Sequence, residues 1–146
     1  MRYQNNPGNI RYNGNFKGCT GNDNGFCKFS SLGYGYRAIL VILNTYYDKY
    51  KLRTIRGIIN RYAPPSENQT EYYISSVSRY SGLDSDQNLA KEDLIKLIPA
   101  IARMENSISI TVPEVKALID QANSGGNIAL SAIAAILALY FFLTLK

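Results

Sequence analysis

The sequence predicts an α+β fold, mainly helical, with a small N-terminal β-lobe, a helical lobe and one C-terminal transmembrane helix. Three observations carry that expectation. Residues 1–35 are dense in Gly, Asn and aromatic residues, and turn formers interrupt short apolar stretches. From Tyr34 onward apolar residues recur at helical spacing, punctuated by caps and prolines. The chain then runs without a charge from Ile128 to Leu145.

In the N-terminal part, Ile10–Tyr12 and Phe26–Phe29 read as short strands, and Gly21-Asn-Asp-Asn-Gly25 is a strong turn signal. Cys19 and Cys27 flank that turn and face each other if it closes a hairpin. A disulfide between them suits an oxidising compartment, and two reduced, partly buried thiols suit a reducing one.

Ala38, Ile39, Val41, Ile42, Leu43 and Tyr46 predict a central buried helix over about residues 35–50. Thr54 can cap a short helix carrying Ile55, Ile58, Ile59 and Tyr62, which Pro64-Pro65 ends. Ser66 with Gln69 has the spacing of a capping box before a helix with Tyr73, Ile74, Val77 and Tyr80 that stops at Gly82. Leu83–Asn88 reads as a polar loop. Leu89–Glu105 is helical, with Pro99 expected to kink or divide it.

Thr111-Val-Pro-Glu114 is a capping box with proline in the first turn, opening a helix with Val115, Leu118, Ile119 and Ala122 on one face. Ser124-Gly-Gly-Asn127 reads as a hinge. The uncharged tail is apolar all round, and at ~1.5 Å per residue it spans about 27 Å, close to a bilayer core. Tyr140, Phe141 and Phe142 suit the interface, and Lys146 can snorkel to headgroups. The expected organisation is therefore a domain over 1–106, an amphipathic helix and Gly hinge over 107–126, and a transmembrane anchor over 127–146.

Composition narrows the chemistry. The 146 residues hold 16 Lys+Arg and 11 Asp+Glu, a formal net charge of +5, with no His and no Trp. That mild excess suits an anionic partner such as phospholipid headgroups, nucleic acid or the acidic bacterial cell wall. The basic residues are dispersed, which argues against sequence-specific nucleic-acid binding. Without histidine there is no Ser-His-Asp or Cys-His nucleophile and no ordinary zinc site, and no phosphate-loop or dinucleotide fingerprint occurs. No cofactor or metal is implied. Carboxylate chemistry remains, and a carboxylate-only site points to glycoside cleavage.

Among the acids, Asp48, Asp84, Asp86, Glu92, Asp93 and Asp120 read as solvated, and Glu114 as a capping partner. Asp23 sits in the hairpin turn, Glu67 in a segment that breaks and restarts helices, and Glu71 one turn further on. Glu105 ends a helix, where an ion pair is its ordinary role.

The series Asn5-Asn-Pro-Gly-Asn-Ile-Arg11, Gly25-Phe-Cys-Lys-Phe29, Leu52-Arg-Thr-Ile55, Ile58-Ile-Asn-Arg-Tyr-Ala-Pro-Pro-Ser-Glu-Asn-Gln-Thr70 and Ala100-Ile-Ala-Arg-Met-Glu-Asn106 resembles a family of bacteriophage virion structural proteins. That family is distantly similar to the lysozyme-like superfamily of glucosaminidases and lytic transglycosylases. The resemblance covers about residues 3–106, and Ala-Pro-Pro-x-Glu-Asn-x-Thr is its most specific part. It implies a lysozyme-like domain that binds and cleaves host peptidoglycan during genome entry, held at a virion membrane by the tail.

In lysozyme-like enzymes the catalytic glutamate usually ends a helix just before the β-lobe. Here only Met1–Gln4 precede Asn5, and they carry no acid. Glu67 is then the preferred acid and Asp23 the alternative. Tyr62 resembles the cleft tyrosine of related glucosaminidases, with Asn68, Asn9 and Arg11 as substrate-binding neighbours. The alternative from another class is a non-catalytic adaptor linking an internal viral membrane to the capsid shell or a vertex.

Overall fold

The computed structural model describes residues 1–13 and 15–124. Its elements follow the expected order: two strands, β1 (Cys19–Asp23) and β2 (Phe26–Phe29), and then helices α1 (Leu32–Asp48), α2 (Ile55–Tyr62), α3 (Thr70–Ser81), α4 (Leu94–Asn106) and α5 (Val112–Asn123). The fold among the described residues is thus α+β and mainly helical. None of these helices is long and apolar enough to cross a membrane. The expected transmembrane anchor over 127–146, and Gly125-Gly126 of the expected hinge, lie outside the described residues.

The strands pair antiparallel, with Asn22 opposite Cys27 and Asp23 opposite Phe26. Two residues join them, Asn24 (φ 49°) and Gly25 (φ 89°). Positive φ at both is what a type I′ loop demands, and Asn and Gly are the residues that tolerate it. The Asn22 side chain closes the turn by accepting the Gly25 N–H at 2.7 Å. A bulge at Thr20 shifts the register between Cys19 and Gly21.

Beneath the hairpin lies one apolar core. Phe29 joins Tyr36, Ile39 and Leu43 of α1, Ile55, Ile58 and Ile59 of α2, Ile74 of α3, and Leu94, Leu97, Ile98 and Ile101 of α4, all fully buried. Burial of side chains this size contributes about 1.5–3 kcal/mol each. Val115 and Ile119 of α5 belong to the same core. Close approach of α5 to α1 is possible because Gly33 has no side chain: a Cβ there would run into the Leu118 carbonyl.

Most helix boundaries follow their local signals. The Thr54 hydroxyl accepts the Gly57 N–H at 3.0 Å, and Thr111 and Glu114 form the reciprocal box, with Glu114 accepting the Thr111 N–H at 2.8 Å. Gly82 ends α3 in the left-handed conformation at φ 72°. Two expectations are corrected. Ser66 and Gln69 form no capping box, since α3 starts at Thr70 with no side-chain cap. Pro64-Pro65 instead leads into a turn closed by the Glu67 N–H on the Pro64 carbonyl, and the Thr70 hydroxyl returns to the Ala63 carbonyl at 2.6 Å.

Nor does Pro99 divide its helix. α4 runs through it, preceded by a separate 3-10 turn over Lys91–Asp93. The residues on either side, Ile98 and Ala100, are buried, so packing outweighs the missing N–H.

Candidate functional site

The site begins with the Asn-Pro-Gly-Asn turn. Asn6 is wholly buried yet fully bonded. Its Nδ2 donates to the carbonyls of Ile10 (3.0 Å) and Cys27 (2.9 Å), and its Oδ1 accepts the Ile10 N–H at 2.7 Å. Together with the backbone pairing of Arg11 with Phe26, this pins the loop against β2. Asn5 and Asn9 take the left-handed conformation, at φ 52° and 47°. Gly8 lets the loop pass close to α2, because a Cβ would lie 2.5 Å from the Tyr62 hydroxyl. That hydroxyl donates to the Gly8 carbonyl at 2.7 Å.

Between this loop, α1, the end of α2 and the Pro64–Asn68 turn lies a cleft of about 740 Å³. Its lining combines apolar Ile10, Phe16, Val41 and Ile42 with polar and charged Asn9, Arg11, Arg61 and Glu67. Glu105 reaches it from the last turn of α4.

Glu105 has no ion-pair partner among the described residues, which corrects the expectation of a structural ion pair. Tyr73 Oη donates to Oε1 at 2.9 Å and Asn9 Nδ2 donates to Oε2 at 2.7 Å. Burial raises its pKa above the ordinary carboxylate value, although both hydrogen bonds pull the other way. Its place at the negative end of the α4 dipole acts in the same direction as burial. Tyr73 and Tyr62 are pushed well above the usual phenol range by burial and by the negative charge of Glu105. Both therefore stay protonated donors.

Asn106, next in sequence, ties the end of α4 to the N-terminal turn. Its Nδ2 faces the carbonyls of Asn6 (3.3 Å) and Pro7 (3.0 Å) and Oδ1 of Asn9 (3.1 Å). The Asn9 amide, which also contacts the Glu105 carbonyl at 3.3 Å, is thereby held in the orientation that donates to the carboxylate.

Of the residues the sequence singles out, Asn9, Arg11, Tyr62, Glu67 and Asn68 all line this cleft. Asp23 does not; its carboxylate accepts from the neighbouring Asn24 side chain at 3.3 Å. Glu67 lies at the rim with a side chain 58% exposed, paired with Arg11 at 3.0 Å. Asn68 donates to the Pro64 carbonyl at 3.3 Å and so stiffens the turn that carries Glu67. The residue that sequence reasoning passed over is Glu105. Its signal was a carboxylate at a helix C-terminus, a position the dipole disfavours.

Cys19 and Cys27 are free thiols in this structure, in contact with each other across the hairpin. Burial and the Cys19 thiol raise the pKa of Cys27 to about 12. Among the described residues no group of three His, Cys, Asp or Glu side chains is placed to hold a metal ion.

Comparison with known proteins places a bacteriophage protein beside this one. That relative is Protein P5 of Pseudoalteromonas phage PM2, 42% identical over 92 residues. The matched stretch covers 62% of this chain and 58% of the relative, so the chain spans little more than half the length of the protein it matches. No family model matches the sequence.

Proposed function

We propose that this chain is a bacteriophage virion protein that cleaves the glycan strands of host peptidoglycan during genome entry, with Glu105 as the proton donor. The observation that carries the reading is the Glu105 carboxyl, half-buried in the cleft with its pKa raised and two donors fixing its orientation. Similarity to a phage protein supports the setting. The lysozyme-like resemblance of residues 3–106 supports the substrate class.

In this reading the protonated form of Glu105, favoured by burial, gives its proton to the glycosidic oxygen. The C1–O bond breaks as charge builds on an oxocarbenium-like sugar. The resulting carboxylate then takes the proton of the attacking nucleophile, which is water for hydrolysis or the sugar's own C6 hydroxyl for a lytic transglycosylase. Either route restores the acid. The geometry favours Glu105 over Glu67 for this role, because Glu67 is exposed and bonded to Arg11. Asn9 and Tyr73 are the groups that orient the acid, and Tyr62 and Asn68 shape the walls. The uncharged tail from Ile128 would hold the domain at a viral or host membrane.

The test is clearing of a peptidoglycan-containing gel by the full chain. Clearing that disappears in Glu105→Gln supports the proposal. A folded protein that clears nothing at high dose returns the chain to the adaptor role, linking an internal membrane to the capsid shell or a vertex.

A further inference from the structure

The cleft carries charge that proton donation does not use. Three arginines line it, Arg2, Arg11 and Arg61, against the two carboxylates Glu67 and Glu105. Arg11 is matched by Glu67. Among the described residues, neither Arg2 nor Arg61 has a carboxylate within ion-pairing distance. With three arginines against two carboxylates, the cleft is positive as a whole, whereas a neutral sugar chain needs no cation to bind it.

Arg61 is also held in a particular way. Its Cζ lies 3.6 Å from the centre of the Tyr50 ring and 5.3 Å from that of Tyr46, and the two rings meet edge to face at 6.3 Å. Contact with ring faces occupies the π surface of a guanidinium and fixes its orientation. A guanidinium carries its N–H donors in its own plane, the geometry that grips a carboxylate in a fork, and one of those of Arg61 is engaged by the Tyr46 side chain. Tyr46 and Arg61 sit on the cleft wall, so this fork borders the space where a glycan would lie.

We propose that Arg61, held on Tyr50, binds a carboxylate carried as a substituent on the glycan, with Arg2 strengthening the positive field. This assignment rests on the reading of the cleft as a glycan site. Two sources offer such a carboxylate: the lactyl group of a muramoyl sugar stripped of its peptide, and the stem peptide itself. A neutral polymer of the same N-acetyl sugars offers neither.

The experiment is calorimetric titration of the full chain in mild detergent with three probes. They are soluble peptidoglycan fragments bearing stem peptides, the same glycan stripped by an amidase, and chitotetraose. The carboxylate-bearing probe that Arg61 recognises binds about tenfold or more tighter than chitotetraose, the scale of a charged hydrogen-bonded pair. In Arg61→Gln that advantage disappears and chitotetraose binding is unchanged. Arg61→Lys recovers part of it, and raised salt erodes it in the wild type. Preference for the stripped glycan identifies the lactyl group, and preference for the peptide-bearing fragments identifies the stem.

Equal binding of all three probes by the wild type overturns the proposal. So does Arg61→Gln weakening chitotetraose as much as the acidic probes while its thermal melt stays native. If the wild type releases glycan fragments yet shows no such preference, only the Arg61 assignment fails. If it binds no glycan and releases none, the reading of the cleft fails and this proposal falls with it.

Discussion

The Asn9 amide stands 2.7 Å from Glu105 Oε2, and its Oδ1 accepts from Asn106, the residue that follows Glu105. A turn at the start of the chain and the last turn of α4 are thereby locked together around one carboxyl. The Asn9 hydrogen bond favours the ionised form and so restrains the upward shift caused by burial. Removing it in Asn9→Ala should raise the Glu105 pKa further and cost about 0.5–1.5 kcal/mol of stability. A pH–rate profile should show its alkaline limb moving to higher pH, with lower activity because the acid is less well oriented. A limb that stays in place would separate Asn9 from the titrating group.

Stability should depend on Glu105 in a definite direction. Its folded-state pKa lies above the unfolded one, so between the two values the folded protein holds a proton the unfolded chain has lost. Its contribution to stability is therefore greatest below the unfolded carboxylate value and declines as pH rises through the folded value. Glu105→Gln does not titrate. Urea melts at about pH 4 and pH 7 should show the variant gaining on the wild type as pH rises, even as activity is lost. A difference that stays constant with pH would mean Glu105 titrates normally.

Gly33 tests the packing of α5 on α1. A methyl at this position meets the Leu118 carbonyl, which is backbone and cannot swing aside. Gly33→Ala should cost about 1–3 kcal/mol, despite the better helix propensity of alanine. Thermal melting reads the loss directly, and an unchanged or raised Tm would contradict the close approach of the two helices.

Cys27 should be chemically quiet while the protein is folded and reduced. It is buried, and a thiol pKa raised to about 12 leaves almost no thiolate at pH 8. Iodoacetamide should label it only after unfolding. Peptide mass mapping of native and denatured samples, both kept reduced, distinguishes the cases, and rapid labelling of native Cys27 would refute the burial.

Much of the fold was legible because its signals are local. Thr54, Gly82 and the Thr111–Glu114 box act through neighbours within a few residues, and the structure uses each as the sequence suggests, whereas the expected Gly21–Gly25 turn narrows to Asn24-Gly25 because Gly21–Asp23 pair within β1. Ser66 misled for a local reason too, since the spacing of a capping box says nothing about whether Pro64-Pro65 lets the helix begin there.

The centre of the site was not legible. Glu105 is separated by 32 positions from Tyr73 and by 96 from Asn9, so its environment exists only after α3, α4 and the N-terminal turn have packed. Asn6 was hidden in the same way, for its buried bonds to Ile10 and Cys27 join segments far apart in sequence that meet only once the N-terminal turn has packed on β2. By contrast Asn9, Arg11, Tyr62, Glu67 and Asn68 were singled out by motif, and the fold brings them to one cleft.

The central claim is that one half-buried carboxyl, Glu105, does the chemistry. It is tested most directly by the rate at which soluble glycan fragments leave purified peptidoglycan. The full-length wild type, Glu105→Gln and Glu67→Gln should be compared at matched dose, each shown folded by circular dichroism. The account predicts release by the wild type, a fall of about 100-fold or more in Glu105→Gln, the scale of a lost general acid, and release within about threefold of wild type in Glu67→Gln. Release that survives in Glu105→Gln and vanishes in Glu67→Gln would contradict it.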